Sequence, residues 1–205
     1  VARSSLTVDR PSAPSAIPLP ANVALYRARR HAMRFSEHLK AAVDYGKIEI
    51  IVPCPRQGLS DGILVRACEA INEALFRHVR ERLGGDYDLS VHALEHPECF
   101  ELILSGNFAA HLAPEIERLI HESLALAEDA ALIQRFIVRA INNCALLDFN
   151  GQDVATAALS SLADERRIVT VAEHLARARA VMVADVQSTI RLFAPERRWT
   201  LLCTP

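Results

Sequence analysis

Two short segments, DYDLSVHAL (86–94) and CFELILS (99–105), constrain the fold more than any other part of the chain. The first alternates apolar and polar side chains with the period of two that belongs to a half-buried strand, and the second offers it a matching apolar face. Joined through residues 95–98, they close a β-hairpin whose register the side chains select. Leu89 faces Leu104, Val91 faces Leu102 and Ala93 faces Phe100 on one face. On the other face Ser90 meets Ile103, Leu94 meets Cys99, and His92 stands across from Glu101. Upstream, IEIIV (48–52) is rich in β-branched residues, ends at Pro53 and reads as a strand. Between strand and hairpin, Leu64, Ala67, Ile71, Leu75, Val79 and Leu83 recur at helical intervals. That helix starts at an N-cap, Ser60 or Asp61, and ends at Gly84-Gly85. Strand, helix and hairpin make a small three-stranded βαββ sheet packed against helices, so the fold class is α+β.

Elsewhere the helical period dominates. Asn22 caps a helix expected to run to about Tyr45 and stop at Gly46, with Leu25, Ala28, Ala32, Phe35, Leu39 and Val43 inward. Another of its faces aligns Arg27, Arg30, Arg34 and His38, the one organised basic patch in the sequence. A solvated helix face explains it; contact with phosphates or an acidic partner is the functional alternative. From Ala113 onward the chain reads as helical. Two helices reach from Pro114 to Phe149, divided near Glu128-Asp129, and a shorter one runs from Asp153 to about Asp164. The last starts at Thr170 and ends at Phe193, with Val171, Leu175, Ala178, Met182, Val186, Ile190 and Phe193 inward. These helices are expected to cover the sheet face that the 61–83 helix leaves bare. Residues 1–21, with Pro11, Pro14, Pro18 and Pro20 among Ser and Ala, read as a disordered tail. Residues 22–205 read as one α+β domain: helix plus βαββ over 22–106, helical over 107–195, and a short tail over 196–205.

With 205 residues the chain can bury a full core. A formal net charge of −2 gives no global attraction to nucleic acid or to an anionic membrane. The five cysteines, Cys54, Cys68, Cys99, Cys144 and Cys203, are widely spaced and never form C-x-x-C. They read as reduced thiols of a cytoplasmic protein. Cys54, between two prolines ahead of a helix start, is the thiol nearest a reactive setting, with a passive role favoured. No apolar run approaches the length of a membrane-spanning helix.

Two short motifs carry chemistry. HALEH (92–96) matches H-x-x-E-H and resembles, over those five residues, the inverzincin-type metallopeptidases. That resemblance implies a zinc ion held by His92, His96 and Glu173, the last at a downstream distance such enzymes use. The neighbours of the motif point elsewhere. Pro97 disfavours a helical His96, and in a strand His92 and Glu95 project to opposite faces. The segment is therefore read as a hairpin tip, and no metal or cofactor is expected. The second motif, GLSDG (58–62), is G-x-S-x-G between a strand and a helix, the nucleophile-elbow pattern of α/β-hydrolases. It would make Ser60 a nucleophile, with Asp148 or Asp153 as the acid and His174 as the base. The simpler reading makes Ser60 a helix cap.

Because no catalytic constellation survives this comparison, the sequence favours a cytoplasmic, non-enzymatic interaction or regulatory protein. The apolar surplus of 114–149 suggests self-association through the C-terminal helices, so the expected partner is a protein or a second copy. A small serine hydrolase using Ser60 is one alternative. A DNA-binding regulator using the Arg27/Arg30/Arg34 face, or a helix-turn-helix with Arg177 and Arg179 toward phosphates, is another.

Overall fold

The computed structural model describes residues 35–40, 45–55, 59–81, 88–95, 99–146, 151–165 and 167–204. The expected tail over 1–21 and the Arg27/Arg30/Arg34 patch lie outside these residues. In chain order the elements are β1 (Phe35–Lys40), β2 (Tyr45–Pro55), α1 (Asp61–Leu75), a π-helical turn (Phe76–Glu81), β3 (Ser90–Glu95) and β4 (Cys99–Ala109). Then come α2 (Ile116–Ala127), α3 (Ala130–Leu146), α4 (Gly151–Glu165), α5 (Val171–Ala180), α6 (Val183–Ile190) and β5 (Trp199–Thr204). The fold is α+β, as the alternation and helical stripes require.

Among the described residues one sheet holds five strands in the order β1-β5-β2-β4-β3, two more than the sequence pattern reveals. β1 and β5 pair in parallel, and every other pair is antiparallel. Two expectations are corrected here. Residues 35–40 and Tyr45 are strand rather than the end of a helix from Asn22. Residues 199–204 are an internal strand rather than a tail. His38, expected on a basic helix face, instead sits on β1 with its Nε2 2.7 Å from Thr204 Oγ1.

The hairpin forms with its faces as expected but its register moved by two. Val91 pairs with Leu104, His92 with Ile103, Ala93 with Leu102 and Leu94 with Glu101. His92 is therefore not opposite Glu101. A shift of two preserves the side-chain period, so the apolar face survives intact. The reversal is pinned from outside the hairpin. The Asn72 side-chain amide receives the Val91 N–H at 2.7 Å and donates to the Val91 carbonyl at 3.0 Å. At the far end, the Asn107 N–H and side-chain amide both donate to the Asp88 carboxylate.

Ile48, Ile50, Val52 and Cys54 of β2 alternate toward one sheet face, beside Phe100, Leu102 and Leu104 of β4, and all are buried. On that face lies α1. Ser60 caps it, its Oγ 3.4 Å from the Ile63 N–H. Leu64, Ile71 and Leu75 are buried, each contributing roughly 1.5–3 kcal/mol through removal from water. The remaining helices do not cover the opposite sheet face as expected; α2, α3 and α6 pack on α1. This layer takes up part of the apolar surplus of 114–149: Ile116, Ile120, Leu124, Ile133, Phe136 and Ile137 are buried within the molecule, whereas Leu126, Val138 and Leu146 are exposed. The π-helical turn after α1 sets His78 against α2, where its Nε2 lies 2.9 Å from Glu122 Oε2.

The stripe from Val171 to Phe193 predicts one helix, yet the structure has two. Val181 and Met182 are extended, with ψ of 123° and 147°. The break turns Val181 into the interior and leaves Met182, expected inward, 63% exposed.

Candidate functional site

The described residues enclose a cleft of about 770 Å³ where the starts of α1 and β4 and the end of β3 meet the faces of α3, α4 and α5. Such a volume lies within the usual range for ligand sites. The α1 start supplies Ser60, Asp61 and Arg66, and β3 supplies Glu95. From the helical side come Asn143 and Cys144 of α3, Ser160 and Ser161 of α4, and His174 and Arg177 of α5. Phe100, Ile137 and Val181 give it an apolar wall. The break before α6 thus has a role in the cleft, since it delivers Val181 to that wall.

His174 is the exceptional group. Its Nε2 is buried and has no hydrogen-bond partner among the described residues. Its place follows from the local sequence of α5. Thr170 accepts the Glu173 N–H, and the Glu173 carboxylate returns to the Thr170 N–H at 2.9 Å, a complete capping box. One residue on, His174 leaves that exposed end and enters the cleft. The Thr170 N–H, aided by the Arg167 guanidinium, holds the Glu173 carboxyl down at about 2.

The sequence-derived candidates are brought together only in part. Ser60 and His174 line the same cleft, although 114 positions separate them. They do not form a nucleophile–base pair here: the Ser60 hydroxyl caps α1, and His174 Nε2 has no hydrogen-bond partner among the described residues, Ser60 included. Asp148 lies outside the described residues. Asp153 stands in the first turn of α4, where a carboxylate suits the positive helix end. Of the zinc set that the resemblance implies, His96 also lies outside the described residues. His92 is exposed on β3, and Glu173 is committed to its cap and to Arg167. Among the described residues no group of three His, Cys, Asp or Glu side chains is placed to hold a metal ion. The donor set does not fit such a centre, and no step is derived through one.

Cys54 lies in β2 rather than in a loop, buried in the core. Burial pushes its thiol up to about 12 and that of Cys68 up to about 11, so neither supplies thiolate near neutral pH. Arg66, Asn143 and Ser160 carried no signal in the sequence, because they share no short spacing and meet only when separate elements pack. Among the described residues no single helix is long and apolar enough to cross a membrane.

No protein-family model matches the sequence, and no curated protein does. Solved structures do match its fold. An M16 peptidase inactive domain from Pseudomonas fluorescens superposes with a TM-score of 0.66 at 10% identity, over 84% of this chain and 44% of its own. A mutant of the ferredoxin protease FusC, in complex with Arabidopsis ferredoxin, gives 0.63 at 13% identity, over 83% of this chain and 20% of its own. The periplasmic protease PqqL from Escherichia coli gives 0.57 at 16% identity, over 84% and 20%. The chain therefore spans less than half the length of each. These matches overturn the expectation of a non-enzymatic, self-associating regulator, and neither the serine-hydrolase nor the DNA-binding alternative replaces it. The apolar helices that suggested self-association bury one face against α1. The chain has an α+β fold similar to that of M16-type peptidase domains.

Proposed function

We propose that the chain is one domain of an M16-type peptidase and that it holds polypeptide for a bond-cleaving centre carried outside its described residues. The fold match carries this reading, because it extends over more than four-fifths of this chain yet less than half of each matched one. The chemistry of the described residues agrees with it. Ser60 is committed to capping α1, Glu173 to capping α5, and no described trio of side chains can grip a metal ion.

The test uses two substrates. Fluorescein-labelled lactalbumin, reduced and carboxymethylated so that it stays unfolded, reports binding by anisotropy. Internally quenched peptides report cleavage. Binding without cleavage is the expected result for the chain by itself. Chelator-sensitive cleavage by the chain would place the centre inside it and overturn the division of labour. Failure to bind the unfolded protein would overturn the reading as a whole.

A further inference from the structure

We propose that the cleft between the start of α1 and helices α3, α4 and α5 seats a segment of unfolded polypeptide, with a backbone carbonyl of that segment accepting a hydrogen bond from His174 Nε2. The inference rests on the peptidase-domain reading and names the subsite that does the holding.

Charge decides the class of ligand. Asp61 and Glu95 on the lining stand with Arg66 and Arg177, and Arg66 is itself ion-paired with Glu69 at 2.7 Å. The cleft therefore has no concentration of positive charge for a phosphate, and its carboxylates are interspersed with guanidinium groups. A polypeptide backbone is neutral and carries donors and acceptors at regular intervals. Its side chains can use the apolar wall of Phe100, Ile137 and Val181. The buried His174 Nε2 supplies the second, independent observation. Native proteins pair nearly all such atoms, and this one, on a residue that lines the cleft, is buried with no hydrogen-bond partner among the described residues. An imidazole can present an N–H at Nε2, which is the complement of a peptide carbonyl.

The sheet edge nearest the cleft, that of β3, is obstructed to an added strand. β3 is an edge strand, and in an antiparallel ladder alternate residues turn their N–H and C=O outward. Val91 is such a residue, and Asn72 takes both of its groups. Strand addition across the middle of β3 would have to displace that amide. The cleft, reached at the Glu95 end of the same strand, requires no such exchange.

Fluorescein-labelled, reduced and carboxymethylated lactalbumin again serves as the probe, now against two variants whose folding is verified by circular dichroism and melting. His174→Phe keeps a ring but removes the nitrogen and is expected to weaken binding roughly ten-fold. Ala157→Trp fills the cleft from α4 and is expected to weaken it further. It does not depend on how His174→Phe folds. Wild-type affinity in Ala157→Trp overturns the subsite while leaving the peptidase-domain reading in place. A wild-type chain that does not bind the probe overturns both.

Discussion

Single residues show where the sequence speaks twice. Gly46 reads as a helix stop, but it lies within β2 opposite Phe108, whose ring occupies the space a side chain would fill. Gly106 has φ of 153°, and a Cβ there would fall 2.5 Å from the Asp88 carbonyl oxygen. Both glycines are needed for close approach, a property invisible before the strands are paired. Ser60 is different: its capping role was legible, because a hydroxyl just before an apolar helical stripe has a local function. Glu173 is equally local and makes a pH prediction. Its carboxyl falls from 4.5 to about 2, chiefly through the Thr170 N–H and next through Arg167. A folded-state value below the unfolded one adds stability that is whole above about pH 4.5 and is lost as pH falls toward 2. Glu173→Gln carries no such charge. The stability gap between wild type and variant, measured in urea, should therefore narrow from about pH 5 to about pH 2. A gap of constant size would show that the cap does not depend on ionisation.

At the scale of elements, legibility follows the range of the interactions that define each one. The start of the helix at Asp61 and the division of 114–149 were readable because stripes and caps are local, whereas the stripe expected to continue to Leu83 as one helix passes into the π-helical turn at Phe76. β1 and β5 were not. FSEHLK has little β-branched character, and WTLLCT is a short apolar run just past a proline. Their partners lie far away in sequence, and pairing across that distance leaves no periodic mark. The same logic explains the hairpin: alternation fixed its faces, whereas its register depends on Asn72 of α1. That dependence can be tested. Asn72→Ala removes both bonds to Val91 and leaves its N–H and C=O unpaired, at a cost of about 1–3 kcal/mol in urea denaturation. It also bares an edge strand, so light scattering should rise with protein concentration. Asn72→Asp retains the acceptor for the Val91 N–H and should fall between the two. A variant as stable and as monodisperse as wild type would mean that β4 sets the register unaided.

Over the whole molecule, the cleft and the sheet share one origin: the chain closes on itself. β5 lies between β1 and β2, so the strand nearest the end of the described chain joins the one nearest its start. The site was scattered in the sequence for the same reason, with Ser60, Asn143, Ser160 and His174 delivered by separate elements around a layer that packs on α1. Such non-local closure is slow, because loop entropy must be lost before contacts form. It also predicts that a lesion in β5 spreads. Thr200 faces Ser36 on one side and Ile50 on the other, with no open edge for a missing N–H. Thr200→Pro should therefore remove at least about 3 kcal/mol, a large part of a typical domain's stability. Trp199, the sole tryptophan and 6% exposed, reports the outcome directly. Its emission should be blue-shifted in the native protein and move to the red in Thr200→Pro at a lower denaturant concentration. Binding of unfolded lactalbumin should fail over the same range, because the helices that form the cleft depend on the sheet beneath α1. Loss of the tryptophan signal with binding retained would show that the helical layer stands without β5.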